Sequence, residues 1–314
     1  MLLILTSDKD LTADFLISEL IDRKLPYFRI NAEELVNADM SFYLADAEFR
    51  RHLVVGPRIL DLKDIKSVWY RRVVQPIPPA ILPSSERAFV AGEFRHLAMG
   101  LVLDPSALWV NPIDKVSIAE HKLYQLRVAR ACGFRVPRTL VSSDIDKLRH
   151  FSESNDTGTI CKPIFHGLFS DGSSRYSIYT RRVTKDMFDA HSVSICPVLL
   201  QEEVPRIADV RVTIIGEECF VAEITGDAGL VDWRDTEISV DYSPAEIDSA
   251  TYSACRTMLE QLGLKYGAFD FIKTPDGNLV FLEVNPTGEW AWLENRLGFP
   301  MREAFIRLMY GVPR

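Results

Sequence analysis

No stretch of the 314-residue chain approaches the roughly 18 consecutive apolar residues that a membrane-spanning helix needs. The N-terminus, MLLILTSDKD, has no basic lead-in and its apolar run stops after a few residues, so it reads as a first buried strand and not as a signal peptide. The five cysteines (Cys132, Cys161, Cys196, Cys219, Cys255) are scattered without a C-x-x-C pair, as expected for reduced core residues of a cytoplasmic protein. Six dispersed histidines argue against a zinc site. Basic residues are outnumbered 36 to 44, and the net charge of −8 leaves no stripe for counterion release, which argues against nucleic acid and membrane as partners. Short basic pairs such as Arg71–Arg72 and Arg181–Arg182 remain as local anion sites. Internal repeats, low-complexity segments and obvious Ser-His-Asp or Cys-His constellations are also missing.

What is present is an ordinary globular balance, 47% hydrophobic and 25% charged, in a chain long enough for about two domains and a core without staples. LLILTS, a helical pattern at Leu11, Phe15, Leu16 and Leu20, and a strand near Tyr27–Asn31 open a parallel α/β unit. Residues 40–62 read as irregular strands or a hairpin, SVWYRR (67–72) as a strand and 85–104 as a helix. WVNP (109–112) marks a boundary, so the first domain spans 1–112. A helix from about Ser117 to Cys132, closed by Gly133, leads into a small central α/β lobe (113–192) built around TICKPIFHGLFSDGSS. The remainder, 193–314, holds two hairpins separated by a helix whose start reads as Ser243, Pro244 and Glu246, and a C-terminal helix with Met301, Phe305, Leu308 and Met309 at helical spacing.

The chemistry concentrates in YGAFDFIKTPDGNLVFLEVNPTGEW (266–290). If PDGN is the loop between two strands, Thr274 faces Leu279 and Asp270 stands directly opposite Glu283, with Asn285 on the same face as Glu283. Opposed carboxylates repel, and among Phe269, Phe271, Leu282 and Val284 an unpaired charge is costly. One structural solution pairs one carboxylate with an arginine. The Asn and the register favour another: a hard divalent cation such as Mg²⁺ held by Asp270, Glu283 and Asn285. Phosphates then call for cations. Lys162 precedes a Gly/Ser loop, Lys122 lies on a helix flank, and QEEVPRIADVR supplies Glu202, Glu203, Asp209 and Arg211, the last two on one strand face. VDWRDTE adds Arg234, and His166 in the central loop is more readily an exposed histidine than a phosphate contact.

This ordered set, from the helix lysine through CKP, QEE…DVR and DWR to FDF…FLEVNPTGEW, resembles the ATP-grasp superfamily over nearly the whole chain. The resemblance implies an α/β fold with an N-terminal Rossmann-like pre-ATP-grasp domain and ATP between the central and C-terminal lobes. It assigns Lys122 and Lys162 to phosphates, Glu202 and Glu203 to the adenine hinge, Asp209 to the ribose, and Asp270, Glu283 and Asn285 to Mg²⁺. Within the superfamily, VWYRR and NPTGEWAWLENRLGFP look like the graspetide synthetases (microviridin-type peptide ligases). The chain departs from the related glutamate ligases at DWRDTE, where they carry Arg-x-Asn and then a glycine-rich stretch, and HGLFSDGSS is not a clean glycine-rich phosphate loop.

The implied activity is ATP-dependent ligation through an acyl phosphate, with Arg211 or Arg234 holding the carboxylate, on a ribosomally made precursor peptide with a leader segment. The competing readings are a ligase that adds amino acids to a protein tail or to a free amino acid, and a regulator that binds ATP without turnover. A homodimer is expected by analogy with the superfamily only.

Overall fold

A computed structural model describes residues 1–46, 48–71, 76–103, 106–165, 167–171, 174–226 and 239–311. The first strand, β1 (Leu2–Thr6), is apolar almost throughout because it is buried on both faces of a parallel sheet. Helix α1 (Leu11–Asp22) follows it, capped by Asp10, whose carboxylate accepts from Thr12 N and Ala13 N, both at 3.1 Å. Next come β2 (Tyr27–Asn31), an antiparallel side sheet of β3 (Asp39–Ala45), β4 (Glu48–Val55) and β5 (Arg58–Leu60), then β6 (Ser67–Tyr70), α2 (Ser84–Val102) and β7 (Leu108–Val110). The main sheet runs β2-β1-β6-β7, all parallel.

Two short helices, α3 (Ile113–Ala119) and α4 (Lys122–Ala131), stand where one helix over 117–132 was expected, and Lys122 therefore opens a helix. The central lobe contains β8 (Thr139–Ser142), α5 (Ile145–Glu153), β9 (Thr159–Lys162), a hairpin of β10 (Leu168–Asp171) and β11 (Ser174–Ser177), β12 (Arg181–Val183), α6 (Ala190–Ile195) and β13 (Val198–Glu202). Its sheet has the order β12-β9-β13-β8, so a strand beyond residue 192 completes it. Leu148, Phe188, Val193 and Leu200 pack one face. Alternation turns Ile160, Lys162, Leu199 and Gln201 to the other.

The last lobe is an antiparallel sheet, β16-β15-β14-β17-β18, formed by β14 (Ala208–Ile215), β15 (Glu218–Gly226), β16 (Val240–Pro244), β17 (Tyr266–Lys273) and β18 (Leu279–Asn285). Helix α7 (Ser249–Leu262) covers one face, where Met258 and Leu259 meet Val212, Phe269 and Phe281. Ser243 and Pro244 do not begin this helix. They end β16, which pairs with β15, and the cap is Asp248, whose carboxylate accepts from Thr251 N at 2.7 Å. The expected start failed because a second cap residue lies five positions on and strand pairing claims the first. Asp248→Ala is expected to cost about 1 kcal/mol, read as a lower denaturant midpoint at unchanged slope.

The opposite face of this sheet is shared. Ile215, Tyr266 and Ala268 join Leu2, Leu16, Trp69 and Trp290 with Phe305 and Met309 in one core that fuses the N-terminal and C-terminal units. Trp290 and Phe305 stack at 4.8 Å between ring centroids. The closing helices are α8 (Ala291–Leu297) and α9 (Met301–Tyr310). Among the described residues no helix is long and apolar enough to cross a membrane.

Candidate active site

Beyond that shared core the same sheet face turns polar: Asp209, Arg211 and Thr213 on β14 and Asp270 on β17 are all buried. Asp270 pairs with Arg211 on one side and with Glu283 of β18 on the other. The Arg211 guanidinium lies 3.1 Å from Asp270 Oδ1. The arginine pairing that sequence weighed against a metal and the opposed carboxylates thus occur together.

The Asp270–Glu283 opposition arises by a route that counting from the turn did not foresee. The loop comprises five residues, Thr274–Asn278, closed by Thr274 N donating to Asn278 O at 2.9 Å, so Lys273 and not Thr274 faces Leu279. The register then shifts by one at a bulge between Asp270 and Phe271. Leu282 packs beside Ile272 and Val280 on the face that also carries Glu283, as a bulge requires. The two offsets cancel.

Asn285 ends β18, pairs with Ala268, and is exposed, while its Oδ1 accepts from Thr287 N at 3.0 Å. That bond fixes which way the amide oxygen faces. The loop after it lies so close to the sheet that a Cβ on Gly288 would meet Ala268 Cβ at 2.8 Å and Asn285 Cβ at 3.4 Å, so only glycine fits. Three backbone oxygens of this loop are captured from elsewhere. Asn111 Nδ2 donates to Pro286 O at 2.8 Å, Arg71 Nη1 to Thr287 O at 2.9 Å and Gly288 O at 3.1 Å, and Tyr266 Oη to Gly288 O at 2.7 Å.

Arg71, 2% exposed, uses its whole fork: Nε and Nη2 grip Asp10 at 3.1 and 3.2 Å, and Nη2 also meets Glu289 Oε2 at 3.0 Å. Thr12 Oγ1 donates to the same Glu289 carboxylate. Burial opposes ionisation of Asp10, but the Arg71 fork, the Thr6 hydroxyl and the α1 backbone N–H groups hold its carboxyl below the usual value. Sequence reading left Arg71 out of the site. The signal available was an arginine directly following a buried strand, which by itself says nothing about what it reaches.

The remaining candidates sit on the central lobe and the hinge. Lys162 ends β9 opposite Leu199. Lys122 Nζ donates to Pro163 O at 2.8 Å, which brings the two lysines' segments together. Glu202 ends β13, its N–H bound to Arg138 O at 3.0 Å. Glu203 is gripped by Arg182, with Nε–Oε1 and Nε–Oε2 at 2.8 Å and Nη2–Oε1 at 2.6 Å, so its carboxylate is directed at β12. Asp209 is held by Arg206 Nη1 at 2.9 Å. Arg234, with Arg72 and His166, lies outside the described residues. All five cysteines are free, and burial pushes the Cys219 thiol up to about 11, which leaves it no role as a nucleophile near neutral pH.

Comparison with known proteins decides the class. Residues 1–117 match the family described as the MvdD pre-ATP grasp domain. The macrocyclase MdnC of Microcystis aeruginosa MRC, solved with its precursor peptide MdnA, superposes with a TM-score of 0.87 at 29% identity, covering 99% of this chain and 100% of that one. This chain is an ATP-grasp ligase. The macrocyclase MdnB of the same organism matches this ligase at 27% identity and a TM-score of 0.82, with 98% of each chain covered. A Chryseobacterium gregarium RiPP-associated ATP-grasp ligase, solved with ADP and with leader and core peptide, shares the fold at 23% identity and a TM-score of 0.87, over 100% of this chain and 97% of that one. No curated protein sequence matches the ligase.

Proposed function

We propose that this ligase closes side-chain ester or amide crosslinks in a ribosomally made precursor peptide: ATP converts a Glu or Asp carboxylate to an acyl phosphate, and a hydroxyl or amine of the same peptide displaces the phosphate. The observation that carries this reading is the opposition of Asp270 and Glu283 on one sheet face, with Asn285 beside them, in a chain similar along its whole length to macrocyclases. The units are the N-terminal domain expected over 1–112, a central lobe that runs from 113 through β13, and the C-terminal lobe, with the nucleotide between the last two.

The donor set suits a hard cation. Two carboxylates set opposite each other at a sheet position repel and call for positive charge between or beside them, and Arg211 stands beside Asp270. Asp270, Glu283 and Asn285 are the residues that would hold Mg²⁺. When bound, the cation offsets phosphate charge during transfer. Lys122 and Lys162 hold phosphate oxygens, backbone and side chains around Glu202 and Glu203 receive the adenine, and Asp209 binds the ribose. Arg211, behind Asp270, orients the substrate carboxylate and then stabilises the oxyanion of the tetrahedral intermediate, with Arg234 as the second candidate for that task. The peptide, entering with its leader segment, supplies both the acceptor and the attacking group, so the enzyme needs no nucleophile of its own.

The test is mass spectrometry of a candidate precursor co-expressed with this protein. Loss of one water per bond, abolished by Glu283→Ala, is the expected result. A mass gain equal to an added amino acid would replace this reading with that of an extending ligase. An unmodified peptide together with no ADP release on any amino acid would favour a binder without turnover.

A further inference from the structure

Strand β18 lies at the edge of its sheet, with β17 on its inner side and no flanking strand outside it among the described residues. Yet its outer backbone groups are engaged. Phe281 N donates to Arg135 O at 2.9 Å. At Val284 a single side chain takes both groups: Gln125 Oε1 accepts from Val284 N at 2.9 Å, and Gln125 Nε2 donates to Val284 O at 2.8 Å. The second Nε2 proton goes to Ala119 O at the end of α3. Gln125 is 3% exposed. Its amide therefore reproduces the double exchange of a hydrogen-bonded strand pair, with a side chain in place of the missing strand.

Two consequences follow from where this happens. Val284 separates Glu283 from Asn285, so the amide grips the one residue between two of the three proposed metal ligands. Gln125 also lies three residues after Lys122 on α4, hence on the same side of that helix. Lys122 in turn bonds the carbonyl of Pro163, the residue after Lys162. A continuous chain of bonded elements thus runs from Glu283 and Asn285 through Gln125 and α4 to Lys122 and the segment of Lys162. An apolar residue at position 125 would cover the strand equally well but leave Val284 N–H and C=O unpaired and the helix free to slide along it. Two bonds from one planar amide fix both translation and rotation.

We propose that Gln125 is a positioning residue that holds the metal carboxylates in register with the phosphate-binding lysines, so that both sets close on one triphosphate. This rests on the ATP and Mg²⁺ reading above. The experiment measures Mn²⁺ binding in the presence of ADP by electron paramagnetic resonance, the Mg²⁺ dependence of ATP turnover, and the thermal midpoint. It compares the full-length protein with Gln125→Met, Gln125→Glu and, as a control, Glu283→Gln. Gln125→Met keeps the length and loses all three bonds. Gln125→Glu keeps the acceptor for Val284 N–H and loses the donors. The expected result is Mn²⁺ affinity reduced about tenfold in Gln125→Met, with a matching rise in the Mg²⁺ needed for half-maximal turnover, and at least as large a change in Gln125→Glu, whose buried carboxylate would face the Val284 and Ala119 carbonyls. Lowered thermal midpoints with unchanged Mn²⁺ affinity in both Gln125 variants would overturn the proposal and leave Gln125 a simple brace. Unchanged Mn²⁺ binding in Glu283→Gln would instead overturn the metal reading, and this proposal with it.

Discussion

Glu283→Gln is expected to reduce ATP turnover on the order of a thousandfold while leaving the fold intact, and Asp270→Asn to reduce it as far but at a cost in stability. Both substitutions preserve shape and remove one negative charge from the opposed pair. A bound divalent ion contributes several kcal/mol of charge stabilisation in phosphoryl transfer, and each 1.36 kcal/mol is roughly a factor of ten in rate, which sets the magnitude. The two differ in what stands behind them. Asp270 is 8% exposed and faces the Arg211 guanidinium at 3.1 Å, so the Asn variant takes the negative charge from that buried contact. Breaking a buried pair from one side costs about 3–5 kcal/mol when nothing replaces the lost partner, and less here because the Asn oxygen still faces the guanidinium. Denaturation of the two variants without nucleotide, beside their ATP turnover, checks this. Equal stability losses would show that Arg211 does not depend on Asp270. Mg²⁺ with ADP at a hundred times the dissociation constant is expected to stabilise the native protein by about 2.7 kcal/mol, and both variants are expected to lose that gain.

The largest effect on stability alone is expected at Asn111. Its Oδ1 accepts from Lys265 N at 2.7 Å and Tyr266 N at 3.0 Å, and its Nδ2 donates to Tyr266 O at 2.9 Å and Pro286 O at 2.8 Å. The side chain is 1% exposed, so no water replaces it when it is removed. Asn111→Ala strands four backbone groups, each costing about 1–3 kcal/mol if left wholly unpaired; with partial relaxation the sum is about 4 kcal/mol. A urea titration against the parent protein measures it, and a loss below about 1 kcal/mol would mean that the loop re-pairs on its own. Asn111→Asp is expected to lose the two donated bonds and to bring a buried charge into the same place.

Why some of this was legible in the sequence and some was not follows from the range of the interactions. The parallel opening β1-α1-β2 could be read because LLILT is a buried run and Leu16 and Leu20 fall at helical spacing, both local signals. The Asp270–Glu283 opposition was legible because a hairpin is nearly local, although the five-residue loop and the compensating bulge were not, since bulges follow from packing of Leu282 against Ile272 and Val280. Helix α7 was placed five residues early because Ser243 and Asp248 are both good caps, and pairing with β15 decides between them. Gln125 does not show in the sequence at all, Asn111 shows only as part of the WVNP boundary, and Arg71 only as half of a basic pair after a buried strand. A buried amide or guanidinium is recognisable only when its partners are known, and those partners lie 159, 155 and 216 residues away. The roles of Lys122, Lys162, Glu202, Glu203 and Asp209 came from the ordered resemblance, not from any property of the single residues.

Arg71 also bears on how such a chain can be recombined. Beyond Asp10, the Arg71 guanidinium bonds to the loop 287–289, and Asn111 reaches the same loop at Pro286, so the N-terminal portion and the strand that ends at Asn285 are matched to each other residue by residue. A chimera that grafts the first 112 residues of one relative onto the remainder of another crosses this fit even though it cuts at the boundary expected from WVNP. Such grafts would succeed in proportion to how faithfully Asp10, Arg71 and Asn111 travel with the Pro286–Glu289 segment. The unit of exchange in this architecture is a discontinuous one, made of the opening domain and a short piece of chain near the other end.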